Sequence, residues 1–267
     1  MDTSSFLQTH RVFSLDEAVW ALAPAGGRKA VLERLKYATR RGKVKPLARG
    51  VYASVPPNTD PAAFRPDPFL AAAVLRPDAV FSHHSALELL GAAHSLWHHY
   101  SAYSDRRPAR FSLDGLALHF LAHPEGLARQ QRTDLGTRSV HRFDRELRVT
   151  GPERTLIDGF RQPDRVGGLA ELVESAAGFS VLELSLLFEL LEAYQRKILW
   201  AAVGWFLDTH RETFFVSEED LAWMEQQVPR APQYLARDER GGVLIRRWNL
   251  IVPEYLVTGR EPDDAEP

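Results

Sequence analysis

The chain has 267 residues, 45% hydrophobic and 25% charged, the composition of an ordinary globular protein and a length that favours two domains over one. Zero cysteines exclude disulfides, thiolate metal sites and a cysteine nucleophile, and we expect neither a metal nor a cofactor. No apolar run is long enough to cross a bilayer, and Met1 to His10 lacks the basic-then-apolar order of a signal peptide; we therefore expect a cytoplasmic protein with no membrane partner.

The net charge of −2 conceals a division. Residues 1–55 hold ten Lys or Arg against Asp2, Asp16, Glu17 and Glu33, a balance of +6 that leaves −8 for the remainder. A basic head on an acidic body suits a molecule that meets a polyanion at one end only.

Within the head, Ser14 precedes Leu15-Asp16-Glu17, and Glu17 three residues on completes a capping box for a helix running to about Ala23. Pro24-Ala25-Gly26-Gly27 forms a turn into a second helix, Arg28 to Arg41, which Gly42 closes with a left-handed residue. On that helix Val31, Leu32, Leu35, Ala38 and Thr39 share one side, to be buried on the first helix and a small sheet. The other side keeps Lys29, Glu33, Lys36, Tyr37, Arg40 and Arg41, with Arg34 at its edge. Val44 to Leu47 and Gly50 to Val55 then flank Ala48-Arg49 as two strands of a hairpin, a wing presenting Lys45 and Arg49.

A cationic helix face of this length matches the major groove, where Arg and Lys reach guanine edges and phosphates. We therefore read residues 1–55 as a winged helix-turn-helix that binds double-stranded DNA through Lys29, Arg34, Lys36, Tyr37, Arg40, Arg41, Lys43, Lys45 and Arg49. Glu33 fits either as an acceptor for cytosine N4 or as a pair for Lys29 or Lys36.

Residues 56–67, with Pro56, Pro57, Pro61 and Pro66, read as an extended connector, and residues 68–267 as a mixed α/β body with a helical C-terminal part, an α+β protein overall. Phe69 to Leu75 and Ser85 to Leu90 have helical character, while Ser112 to Leu121 and Val140 to Val149 read as strand. Pro152 to Phe160, Gly168 to Ala177, Val181 to His210 and Ser217 to Gln227 carry apolar residues at three and four spacing. A turn at Glu239 to Gly242 leads to a late strand, Val243 to Val252, and Glu261 to Pro267 is an acidic tail.

Two constellations invite a chemical reading. Adjacent His83 and His84 point in different directions on any regular element and chelate one ion poorly; we take them as packed or surface residues, and the group of His94, His98 and His99 likewise. Arg154 and Asp158 stand four apart, as a structural pair does on a helix. We expect no catalytic residue and no enzyme. The alternatives are a hydrolase or phosphodiesterase of the body using His83, His84, His94 or Asp158 and tethered to DNA by the head, or a winged-helix module for protein interaction.

The stretch Arg28 to Tyr52, ending Arg41-Gly42-Lys43-Val44 and Leu47-Ala48-Arg49-Gly50-Val51-Tyr52, resembles the N-terminal winged helix of AbiEi-type antitoxins. The similarity continues through Phe81 to Gly91, Pro152 to Asp158 and Trp248 to Pro253, and so covers most of the chain. These antitoxins are the regulatory halves of bacterial type IV toxin–antitoxin and phage-defence pairs. The resemblance implies a repressor that binds operator repeats upstream of its own operon, and a body that counteracts a nucleotidyltransferase-like toxin, with or without stable contact. It places positive charge at Lys29, Lys36, Arg40, Lys45 and Arg49.

Overall fold

The computed structural model describes residues 2–22, 26–113, 115–236 and 241–258, which fold as α+β. The turn read at Pro24-Ala25, that at Glu239-Arg240 and the tail Glu261 to Pro267 lie outside the described residues. Two compact units form, each assembled from separated stretches: 1–81, 98–122 and 139–149 in the first, 82–97, 123–138 and 150–267 in the second.

The first unit opens with a helix that the sequence reading did not anticipate, α1 (Thr3–Thr9), whose first turn is capped by Asp2 accepting from the Ser5 amide at 2.9 Å. After β1 (Val12–Ser14) the expected capping box closes: the Glu17 amide donates to Ser14 Oγ at 3.1 Å and the Ser14 amide to Glu17 Oε2 at 2.6 Å. It starts α2 (Leu15–Leu22), followed by α3 (Gly27–Arg40), β2 (Val44–Ala48) and β3 (Val51–Ser54). The three strands form one antiparallel sheet in the order β1-β3-β2. Gly42 at φ 69° and Gly50 at φ 77° take the left-handed turns after α3 and between β2 and β3, where a side chain would be strained. Phe6, Phe13, Leu15, Ala18, Leu22, Val31, Leu35, Ala38 and Val44 make the core beneath.

Beyond residues 56–67, α4 (Pro68–Leu75) is capped by Asp67 and apolar on every side, because it is buried against β1 and β3 and against a second sheet. That sheet contains β4 (Val80–Phe81), β5 (His99–Tyr103), β6 (Ala109–Leu113), β7 (Leu116–Leu121), β8 (Thr137–Arg142) and β9 (Arg145–Thr150), in the order β6-β7-β5-β4-β9-β8. The division into units follows these contacts and not the proline-rich stretch. At the turn between β8 and β9, Arg145 donates to the Val12 carbonyl at 3.1 Å and to Glu17 at 2.6 Å, while Arg11 lies 3.8 Å over the Phe143 ring. Burial alone would raise the Glu17 carboxyl; the Ser14 amide and Arg145 outweigh it and hold the group below its ordinary range.

The second unit is helical: α5 (His84–Leu89), α6 (Glu125–Arg129), α7 (Pro152–Arg161), α8 (Leu169–Ala177), α9 (Leu184–Tyr194), α10 (Lys197–Thr209) and α11 (Glu218–Glu225). It ends in β10 (Gln233–Tyr234), β11 (Val243–Ile245), β12 (Leu250–Val252) and α12 (Glu254–Thr258), with the small sheet ordered β10-β12-β11. Several continuous segments of the sequence reading are broken here and in the first unit. Gly115 at φ 85° divides Ser112 to Leu121, Phe143 at φ 55° turns Val140 to Val149 into a hairpin, Gln195 at φ 55° separates α9 from α10, and Asn249 at φ 44° separates β11 from β12.

α7 is buried along nearly its whole length, polar residues included. Arg154 Nη1 donates to the carbonyls of Thr133 and Leu135 at 2.7 and 2.9 Å, and Tyr194 donates to Asp158 at 2.7 Å. Arg154 and Asp158 lie 3.8 Å apart with both side chains at 0% exposure, an internal charged pair held by hydrogen bonds through Arg154 Nη1 and Asp158 Oδ1. His83 is sealed beside them, with Nδ1 at 2.9 Å from Ser82 Oγ. Burial depresses its pKa to about 4; Asp158 opposes the shift, and Arg161 and Arg165 add to it. Where α10 meets the C-terminal turn, Gly204 lies so close to Trp248 that an added Cβ would fall 2.3 Å from the indole, which is itself fully buried and donates to Asp208 at 3.0 Å.

Three outcomes follow from this packing. Gly204→Ala overpacks a site that cannot yield, and thermal melting should show a loss of about 1–3 kcal/mol. Arg154→Met strands Asp158 and two carbonyls, and urea unfolding should register about 3–5 kcal/mol. Because the pKa of His83 is lowered on folding, the unfolded chain binds the extra proton first, so its stabilisation is complete above the ordinary pKa near 6.5 and is lost progressively as pH falls towards about 4. The loss amounts to roughly 3 kcal/mol, and His83→Asn should flatten the stability–pH curve between these limits in urea titrations.

Candidate nucleic-acid interface

Helix α3 is buried along one side only. Val31, Leu35 and Ala38 are 0–5% exposed, whereas Lys29, Glu33, Arg34, Lys36, Tyr37, Arg40 and Arg41 face solvent, with the Tyr37 ring 63% exposed. Three apolar residues within two turns dock on α2 and β2, and the opposite arc, which carries the charged side chains, is left exposed. Arg28 pairs with Asp16 and ties the start of α3 back to α2.

Among the described residues, Lys29, Arg34, Arg41, Lys43 and Arg49 form no ion pair or side-chain hydrogen bond. Lys36 does: its ammonium lies 2.8 Å from Glu33 Oε1, which answers which of the alternatives for Glu33 holds in the unliganded chain. The hydrogen bond and charge of Lys36 keep the Glu33 carboxyl below its ordinary range. Lys45 is placed differently from the rest of the set. It is half-buried, and its ammonium donates to the Phe64 carbonyl at 2.9 Å. Arg49 is exposed at the β2–β3 turn.

Beside α3 the sequence reading missed a groove. Its walls are α1, Arg11, the Glu33–Tyr37–Arg41 side of α3, and the stretch 54–61 that leads into the connector, and its volume, partly open to solvent, is about 1150 Å³. The signal for it was the unexpected α1 together with the turn at Asn58, at φ 62°, which brings the connector back. The first unit, which holds all of these groups, carries 18 Lys and Arg against 11 Asp and Glu, and the second 15 against 24, so the charge imbalance sharpens to +7 and −9 when residues are assigned by tertiary contact.

The histidine constellations lie in a different setting. His83 and His84 are buried, and His84 Nε2 is 3.5 Å from Glu171 and its ring is stacked on Trp97 at 5.6 Å. Glu171 Oε1 accepts from the His94 and Ser95 amides at 3.1 Å and from Ser175 Oγ at 2.8 Å, so this carboxylate fastens the loop after α5. Burial lowers the pKa of His84, against the pull of Glu171. No group of three or more His, Asp and Glu among the described residues is arranged to hold a metal, and no described helix is long and apolar enough to cross a membrane.

Comparison with known proteins adds a fold relative and a family. The crystal structure of the RV2827C protein from Mycobacterium tuberculosis is similar, with a TM-score of 0.63 over 96% of this chain and 93% of that one. At 18% identity the likeness is one of fold. No curated protein matches the chain by sequence. Residues 84–207, from α5 to near the end of α10, match the family model of the AbiEi antitoxin C-terminal domain, the same family that the Phe81 to Gly91 and Pro152 to Asp158 segments resemble. Residues 84–207, a little under half of the chain, are thus similar to the AbiEi antitoxin C-terminal domain.

Proposed function

We propose that this chain is a sequence-specific DNA-binding regulator, the antitoxin of a type IV pair that represses its own operon and counteracts a nucleotidyltransferase-like toxin. In this reading residues 1–55 are the winged helix-turn-helix, 56–67 the connector and 68–267 the antitoxin body, and the site of action is cytoplasmic. The observation that carries the DNA part is the solvent-facing side of α3, with Lys29, Arg34 and Arg41 unpaired among the described residues and Lys36, Tyr37 and Arg40 exposed between them.

α3 enters the major groove, and its long side chains reach base edges and flanking phosphates. Lys43 and Arg49 sit beyond its end and at the hairpin turn, where a phosphate or the minor groove is met. Lys36 reaches DNA by leaving Glu33, which is then free to accept from a cytosine amine, and Lys45 by leaving the Phe64 carbonyl. The antitoxin part is supported by the family match over residues 84–207. Buried His83, His84 and Asp158 are engaged within the fold, which favours regulation over hydrolysis as the task of the body.

The Lys36→Ala, Arg40→Ala double variant should abolish protection of the chain's own upstream repeat in a footprinting titration while leaving its melting curve intact. The slope of log K against log salt should fall by about 1 for each phosphate left without its cation, and removing a side chain that bonds a guanine edge in bidentate fashion should cost about 1–3 kcal/mol with relaxed specificity. Binding as tight as the parent's would place the interface elsewhere.

A further inference from the structure

We propose that the groove between α1, α3 and the connector is a binding site for a small organic anion with a flat apolar body, in chemical class a nucleotide. Its volume, about 1150 Å³, is somewhat above the roughly 300–1,000 Å³ usual for small-molecule pockets. A nucleotide therefore fits together with some of its water.

Charge selects the ligand. Arg34, Arg41 and Lys43 line the groove and form no ion pair or side-chain hydrogen bond among the described residues. Arg11 joins them from the opposite wall, its guanidinium resting on the Phe143 ring with its charge uncancelled by any carboxylate among the described residues. Glu33 is the single acid in the lining, and Lys36 at 2.8 Å compensates it. Guanidinium forks bind phosphate oxygens in pairs, and an ammonium serves as a point charge beside them. An anionic ligand gains charge-assisted hydrogen bonds from these cations that a neutral one does not.

Shape selects the rest. Tyr37, an exposed aromatic residue, lines the groove, and Pro56 and Pro57 lie on the connector side. Aromatic faces and guanidinium planes stack on nucleobases with little regard to which base is present, so the site recognises a nucleotide more strongly than a bare phosphate or a nucleoside. Arg34, Tyr37, Arg41 and Lys43 are also in the proposed DNA-binding set. Ligand and duplex therefore compete, a consequence that rests on the DNA reading, whereas ligand binding itself does not.

The test is calorimetric titration of the full chain with ATP and with GTP, in the absence of DNA, followed by adenosine and inorganic triphosphate. Binding of at least one nucleotide is expected, with adenosine and triphosphate each about tenfold weaker or more, and with Tyr37→Ala and Arg41→Ala each about tenfold weaker than the parent. Both side chains are exposed, so the variants should keep the parent's melting temperature. Arg148→Gln removes an exposed cation of the same unit outside the groove and should leave nucleotide binding unchanged. No heat from either nucleotide at millimolar concentration would overturn the assignment, as would parent-like binding by Tyr37→Ala and Arg41→Ala, or an equal loss in Arg148→Gln. Repeating the upstream-DNA titration with saturating nucleotide should raise the apparent Kd. If DNA fails to bind under any condition, the DNA reading falls while the isotherm still decides this one.

Discussion

Val31, Leu35 and Ala38 recur at helical spacing on one side of α3 and are removed from water against α2 and β2, and this burial governs what the N-terminal region can do. With that side committed to a core, the opposite arc of α3, which carries charged side chains and no large aliphatic residue, faces solvent. Its residues are cations and a tyrosine, and nothing else in the described chain neutralises most of them. The same burial sets the geometry around α3: Phe6 of α1 enters the same core, so α1 stands beside α3 and a groove opens between them. The exposed cationic side of α3 and the groove beside it therefore share one cause.

The buried polar groups of the second unit pose the opposite problem. Arg154, Asp158, Glu153 and His83 are fully buried, a costly arrangement unless every charge meets a partner. Arg154 satisfies carbonyls of the loop before β8, Asp158 takes the Tyr194 hydroxyl, and Glu153 accepts the Glu183 amide at 2.9 Å, so one helix joins three distant stretches of chain. The arrangement fixes a unique packing of α7 at the expense of sensitivity to acid, through the depressed His83. Residues that resemble catalytic groups in the sequence thus have partners inside the fold.

The Arg145 contacts show a smaller version of the same device. Glu17 completes the capping box of α2 and also receives Arg145 from the β8–β9 turn, and the neighbouring Arg11 lies over Phe143. Local helix capping and the placement of a distant hairpin are coupled through one carboxylate, whose pKa is held down by both.

Much of this was legible in the residue order wherever short-range rules act. The Ser14–Glu17 box, the polarity of α3, the left-handed Gly42, the hairpin after it and the long amphipathic helices of the second unit all follow from neighbours three or four residues apart, or from a glycine where a side chain is strained. Tertiary structure alone decided the rest. Phe143 and Gln195 break elements in left-handed conformations that their residue types do not announce, whereas Asn249 is of a type that adopts one readily. α1, the return of the connector along α3, the tether of Lys45 to Phe64 and the assembly of each unit from separated stretches depend on contacts between residues far apart in the chain, which periodicity cannot register. The residue sequence determined which side of α3 is apolar and which is charged; only the fold decided what stands next to the charged side, since that depends on where the rest of the chain is carried by its own burial.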